Sequence, residues 1–189
     1  DHFAVAGHDR GGRVAHRLAR DYPDAVTHLA VLDIVPTEAM YGTTDKAFAT
    51  AYYHWFFLIQ PAPFPETLIG QDPAFFLHHK TGHWGRTKGA ITDQAFAEYL
   101  RCFSNPATIH ASCEDYRAAA SIDLDHDAAD RGEKLAMPVL ALWGDIGFVG
   151  KHYDVIDEWQ NYASHVDGQA INSGHFLAEE APDQTLAAL

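Results

Sequence analysis

Cysteine is nearly absent: the 189 residues include only Cys102 and Cys113. Their spacing fits no zinc motif, and one bridge would be a poor framework for a chain this size. Both are expected as reduced, inert packing residues. Positive charge is also scarce, with 13 Lys and Arg against 26 Asp and Glu, a net −13. That balance argues against nucleic acid and anionic membrane surfaces as partners. No apolar run approaches the ~18 residues that span a bilayer, and the chain does not open on a basic stretch followed by an apolar one. A cytoplasmic protein is therefore expected. Internal repeats and low-complexity segments are missing too.

Histidine is plentiful, with 13 copies. His78, His79 and His83 lie close together, but no carboxylate stands at ligand spacing, so solvated surface is expected there and no metal. At 47% hydrophobic the chain can build one ordinary core with a lid rather than several domains. It opens at Asp1-His2, enters a strand by Phe3 and stops at Leu189 inside a helical pattern. Both ends are expected to be cuts, with N-terminal strands missing.

Phe3-Ala4-Val5-Ala6 is a short apolar run of the kind that makes a buried strand. The turn Gly7-His8-Asp9-Arg10-Gly11-Gly12 follows, and Val14, Leu18 and Ala19 give helical spacing up to Tyr22-Pro23, where proline ends it. Residues 26–32 form a second buried strand, closed by Asp33 and Pro36. This strand–turn–helix–strand order is the unit of a parallel sheet. From 37 to 130 aromatics crowd in and helical spacing recurs, as at Ala95, Phe96, Tyr99, Leu100 and Phe103. Sheet character resumes at 138–143; a helix is expected over 151–162, a last strand over 166–171 and a helix from about Phe176. The organisation expected is a hydrolase-like core over 1–36, a helical cap over 37–130 and the rest of the core over 131–189.

Gly7-x-Asp9-x-Gly11 has the form of the strained strand-to-helix turn G-x-S-x-G, with aspartate in the serine position. A β-carbon at either glycine is expected to clash with the neighbouring strand or helix. Aspartate, with a reference pKa of ~3.9, is already ionised at neutral pH and needs no base to activate it. Serine attacking a saturated carbon would leave an ether, a dead end. A carboxylate leaves an ester, which water can cleave.

Several segments together resemble the haloacetate (fluoroacetate) dehalogenases of the α/β-hydrolase superfamily. They are Gly7-His8-Asp9-Arg10-Gly11-Gly12-Arg13, Leu32-Asp33-Ile34-x-Pro36-Thr37, Tyr53-His54-Trp55-Phe56-Phe57, Gln60-Pro61-Ala62-Pro63, Cys113-x-Asp115-Tyr116-Arg117-Ala118 and Gly174-His175-Phe176. They run in order along nearly the whole chain. The resemblance implies an α/β fold with a parallel sheet core and a helical cap insertion. It also implies hydrolytic dehalogenation of a haloacetate to glycolate and halide through an aspartyl ester.

In that family pattern Asp9 is the nucleophile and His175, after the last core strand, activates water. Asp33 matches the acid that orients this histidine, although Asp145 ends a later strand where many relatives carry theirs. Arg10 and Arg13, three apart on one helix face, match the pair that clamps the substrate carboxylate. Such a clamp has a purpose: two like charges 4 Å apart at an effective dielectric of 20 repel by ~4 kcal/mol, and Asp9 would repel the acid. His54, Trp55 and Tyr116 match a halide pocket whose donors stabilise the departing anion. Trp84 resembles a tryptophan of the substrate channel.

No metal or organic cofactor is implied, and the partners are a small halogenated carboxylate and water, with a homodimer left open. One departure stands out. The backbone N–H of Arg10 supplies one oxyanion donor, while the second comes from an early loop absent from this chain. Losing a donor typically costs ~2.7–4 kcal/mol of transition-state stabilisation, and missing strands leave a sheet edge bare. The chain by itself is expected to fold poorly and be inactive. The alternative is an epoxide hydrolase, which shares fold and nucleophile but typically has tryptophan after the aspartate and a pair of cap tyrosines. A non-catalytic binding protein on the same scaffold is a third reading, disfavoured because all three triad candidates are present.

Overall fold

A computed structural model describes residues 1–189. Four strands, β1 (Phe3–His8), β2 (Val26–Leu32), β3 (Val139–Gly144) and β4 (Val166–Ile171), form one parallel sheet in the order β1-β2-β3-β4. Every strand therefore ends at the same edge, where the turns that follow β1, β2 and β4 collect. Strand β3 and the second half of β2 (residues 29–32) are rich in Val, Leu and Ala and largely buried, as a sheet covered on both faces requires, whereas Thr27 and His28 near the start of β2 are exposed. β1 lies at one edge of the sheet, and its first residues are exposed.

Helix α1 (Arg10–Asp21) returns the chain from β1 to β2 and packs against both. It stops at Tyr22 because the following proline disfavours helical geometry there. Between β2 and β3 the structure contains helices only: α2 (Thr37–Gly42), α3 (Lys46–Ala51), α4 (Tyr53–Phe57), α5 (Phe64–Gln71), α6 (Pro73–Trp84), α7 (Asp93–Phe103), α8 (Pro106–Ala119) and α9 (Ile122–Ala129). Asp45, Asp72, Thr92 and Asn105 cap α3, α6, α7 and α8, each accepting a backbone N–H of the first turn.

The helix expected over 151–162 is two helices, α10 (Phe148–His152) and α11 (Val155–Gln160). Asp154 breaks it by accepting the N–H of Asp157 and starting a new first turn. The last helical stretch is also divided, into α12 (Leu177–Glu180) and α13 (Pro182–Ala188), because Pro182 cannot continue the earlier turn.

One apolar cluster runs without interruption from the sheet (Val31, Val139) through the helical segment (Phe48, Trp55, Cys113) to Trp159 of α11. A small second cluster, Leu32, Leu142, Ile171 and Leu177, holds α12 against the strand ends. Cys113 is buried as a packing residue, whereas Cys102 is exposed. The expectation of packing is thus corrected for Cys102, which lies on the outer face of α7. No helix is long and apolar enough to cross a membrane.

Candidate active site

The turn after β1 places Asp9 in a conformation that non-glycine residues rarely adopt, with φ 51° and ψ −120°. Such backbone strain costs about 1–3 kcal/mol and persists where the surroundings over-determine it. Here the Asp9 N–H donates to Leu32 O, and the Asp9 carbonyl accepts from the N–H groups of Gly12 and Arg13. Crowding around the turn differs from expectation. A β-carbon on Gly7 would lie 2.4 Å from Gly11 O, and one on Gly12 would lie 2.9 Å from Gly7 O. Gly11, by contrast, has open space around it. The close approach of strand to helix therefore depends on Gly7 and Gly12, not on Gly7 and Gly11.

Asp33, just past β2, is the other non-glycine residue at positive φ (53°). Its carboxylate is 1% exposed, accepts the Gly144 N–H through Oδ1 (2.9 Å) and binds His175 Nδ1 through Oδ2 (2.6 Å). Asp145 lies apart: it is exposed and receives both of its hydrogen bonds from Arg86. His175 Nε2 faces Asp9 Oδ2 at 3.6 Å, beyond hydrogen-bond reach but close enough for charge to act.

Burial alone would disfavour a charged His175, but the Asp33 and Asp9 carboxylates outweigh it and push the imidazolium up to about 10. Burial likewise works against an ionised Asp9. The facing His175, with His8 and Arg13, reverses this and holds the carboxyl well below the usual range. His8 donates through Nε2 to the His175 carbonyl (2.8 Å) and buttresses the ring.

The histidine turn is tied to the end of α6. His175 N–H donates to Trp84 O (2.8 Å), and a β-carbon on Gly174 would lie 2.3 Å from that oxygen. The Glu180 carboxylate accepts from the backbone N–H groups of Arg86, Thr87, Gly174 and Phe176. Two chain segments far apart in sequence thus share one acceptor.

Arg10 and Arg13 occupy different surroundings. Arg10 pairs through Nε with the Asp115 carboxylate, donates through Nη2 to Asp115 O and lies over the Tyr116 ring. Its Nη1 is buried without a partner. Arg13 is 8% exposed, donates through Nη1 to Val35 O and Thr37 Oγ1, contacts Met40 Sδ through Nη2 and stacks on Trp55. Burial and the neighbouring Arg10 lower it to about 10.

His54, Trp55 and Tyr116 come together with Trp84: the His54 ring lies 4.8 Å from Trp84 and 5.5 Å from Tyr116, and Trp55 lies 6.1 Å from Tyr116. His54 Nδ1 is buried and unpartnered. Burial pushes His54 well below the ordinary histidine value and Tyr116 well above that of a phenol, so both remain neutral.

Two cavities meet at this site. A cleft of about 510 Å³ over Asp9 and His175 is bounded by Arg10, Trp84 and Phe176. A chamber of about 450 Å³ inside the helical segment is lined mainly by apolar side chains, with Arg10, His54 and Tyr116 at one end. Two further participants were not evident from the sequence: Asp115, which positions Arg10, and Lys80, whose buried ammonium borders both cavities. Among acidic and histidine side chains, Glu66, His110 and Glu114 approach one another as metal ligands would. Arg117 donates to both carboxylates, so they already have a cationic partner that offsets one of their two charges.

The α/β-hydrolase fold family model matches residues 1–182, and the chain belongs to that family. It is similar to a fluoroacetate dehalogenase of a Burkholderia species, 40% identical over 186 residues, covering 98% of this chain and 61% of that enzyme. A soluble epoxide hydrolase of Corynebacterium sp. (strain C12) is 33% identical over 186 residues, with 96% and 63% covered. The structure also matches that of an α/β-hydrolase from Nostoc sp PCC 7120, at a TM-score of 0.97 and 58% identity, over 99% of this chain and 64% of that one. The chain thus spans about three fifths of the length of these relatives.

Proposed function

We propose that the protein hydrolyses the carbon–halogen bond of a short haloalkanoate, with fluoroacetate as the substrate tested first. The observation that carries the reading is an ionised Asp9 beside an arginine whose Nη1 is buried and unpartnered. A nucleophile that is itself an anion, next to an idle guanidinium donor, fits a substrate that brings its own negative charge. The similarity to the Burkholderia enzyme supports the same reading.

In the first step an Asp9 carboxylate oxygen attacks the carbon bearing the halogen. A carbon–oxygen bond forms, and the halide leaves with the bonding electrons towards His54, Trp55 and Tyr116. The product is an ester of Asp9. Esterification removes the Asp9 charge, one of the influences that hold His175 protonated. The histidine proton is then released to solvent more readily, and the ring becomes a base that the Asp9 carboxylic acid reprotonates at the end of the cycle. In the second step water attacks the ester carbonyl and His175 Nε2 takes its proton; as the tetrahedral centre collapses, the imidazolium returns that proton to the departing glycolate oxygen, leaving the Asp9 carboxylic acid and glycolate. Asp33 holds the ring by its other nitrogen throughout. Arg10 opens α1, so its backbone N–H lacks an intrahelical partner and can serve the oxyanion of this step.

A second reading, epoxide opening, is favoured by the Corynebacterium relative and by two buried tyrosines, Tyr52 and Tyr116, that lie within the field of Asp9. The experiment that separates the two is fluoride release from fluoroacetate, followed by a single turnover in ¹⁸O-water with mass analysis of the peptide bearing Asp9. Dehalogenation predicts fluoride and one ¹⁸O in Asp9. Turnover of an epoxide with no halide release decides for the second reading, and absence of label from Asp9 removes the ester from both.

A further inference from the structure

Lys80 lies on α6, in a stretch that the mechanism above does not use. Its Nζ is buried and has no hydrogen-bond partner. Three rings surround it instead, Tyr53 at 4.2 Å, Trp84 at 4.6 Å and Phe76 at 5.4 Å. Aromatic faces attract a cation through their quadrupole, but they leave the ammonium N–H groups without a lone pair to accept them. Burial pushes the group down to about 7, opposed by the charge of Asp9. A cation held this way, with no carboxylate beside it, has an unfilled place for an anion.

Its position indicates which anion. Lys80, Arg10, Leu77 and Trp84 line both the chamber and the Asp9 cleft, and so form the partition between them. Two other unpartnered nitrogens come from residues that line the same chamber, Arg10 Nη1 and His54 Nδ1. Three helices, α1, α4 and α6, thus each bring one unpartnered nitrogen to a chamber whose remaining wall is mostly apolar, and those of Arg10 and Lys80 are donors. We propose that Lys80 is an anion-binding residue at this partition, taking a small monovalent anion: the carboxylate of the incoming acid or the halide on its way out. The existence of the site stands on the geometry; the identity of its ligand rests on the dehalogenase reading.

Sodium acetate and sodium bromide serve as probes for the two sources. The chain has only five lysines, so in protein labelled with ¹³C at lysine Cε the Lys80 signal is assigned by its loss in Lys80→Met. A saturable shift of that signal with either salt is expected. In turnover of fluoroacetate, Lys80→Met is expected to raise KM about tenfold with kcat retained if the incoming acid is held there. If the departing halide is held there, product inhibition by halide weakens about tenfold while KM stays. Lys80→Arg, which keeps the charge, is expected to restore whichever constant moved. No shift of the Lys80 signal with either salt overturns the proposal, as does a folded Lys80→Met with both constants unchanged. Should Lys80→Met fail to fold, the wild-type titration decides, with Lys80→Arg assigning the signal. Wild-type protein that binds acetate at Lys80 but releases no fluoride removes the dehalogenase reading and leaves the site standing.

Discussion

On the sheet side of the site, Asp33 gives both carboxylate oxygens to protein donors, and Asp9 and His175 neutralise each other across 3.6 Å. On the helical side, Lys80 Nζ and His54 Nδ1 are buried without a hydrogen-bond partner. Arg10 stands between, bound to Asp115 by one edge and idle at Nη1. A buried polar group without a partner costs about 1–3 kcal/mol, so the helical side is less settled than the sheet side until something occupies it. The difference separates two tasks. The sheet side fixes the reacting groups in place beforehand, and the helical side is completed by what it binds.

The largest losses are expected from substitutions at the sheet side. Asp9→Asn is expected to abolish halide release, and His175→Gln to release one halide per site and stop at the ester, visible as added mass on the intact protein. Next, Asp33→Asn is expected to lower turnover by about 10⁴, the loss typical of an orienting acid replaced by its amide. Asp145→Asn, whose side chain meets only Arg86, is expected to leave turnover unchanged; the reverse ranking would exchange their roles.

The two arginines sharpen the contrast further. Loss of a hydrogen bond to a charged group is worth about 1.5–3 kcal/mol, so Arg10→Leu is expected to raise KM by roughly ten- to a hundredfold. Arg13→Leu removes bonds to Val35, Thr37 and Met40 as well. It is expected to lower stability by about 2–3 kcal/mol in addition to weakening substrate binding. Paired denaturation and kinetic measurements separate the two effects.

The smallest effect expected is on the pH dependence of stability. His175 is held up at about 10 against an ordinary 6.5, so its contribution is complete below about 6.5 and is lost as pH rises towards 10. His16, on the buried face of α1 against Trp159 and bonded to Arg20, is pushed the other way, to about 3, chiefly by burial and then by Arg20. Its contribution is present above 6.5 and is lost as pH falls. Melting temperatures should therefore decline on both sides of neutrality, and His175→Gln should flatten only the alkaline limb.

Much of the fold could be read from the chain because the relevant signals are local. β2 and β3 appear where apolar runs are bounded by turn residues, and Pro23 marks the end of α1. The elbow at Asp9 announces itself through its glycines, although which glycines are crowded depends on how closely strand and helix approach, a distance no motif states. The partner of His175 was ambiguous for a similar reason. Asp33 and Asp145 both end strands, and only the folded turns show which one faces the ring. The two helix breaks, at Asp154 and Pro182, depend on residues that also occur inside helices or at their starts. Lys80 gave no signal at all. It sits between His79 and Thr81 in a polar stretch, and its burial arises from Tyr53 on another helix together with Phe76 and Trp84 on its own.

The shared acceptor at Glu180 and the bond from His175 to Trp84 also bear on how anything enters. Because the backbone of the histidine turn is latched to the end of α6, lifting that end would drag the imidazole away from Asp9. Displacement of that end would therefore disengage the reacting pair, whereas the Asp9 side chain, 31% exposed, is reached without it.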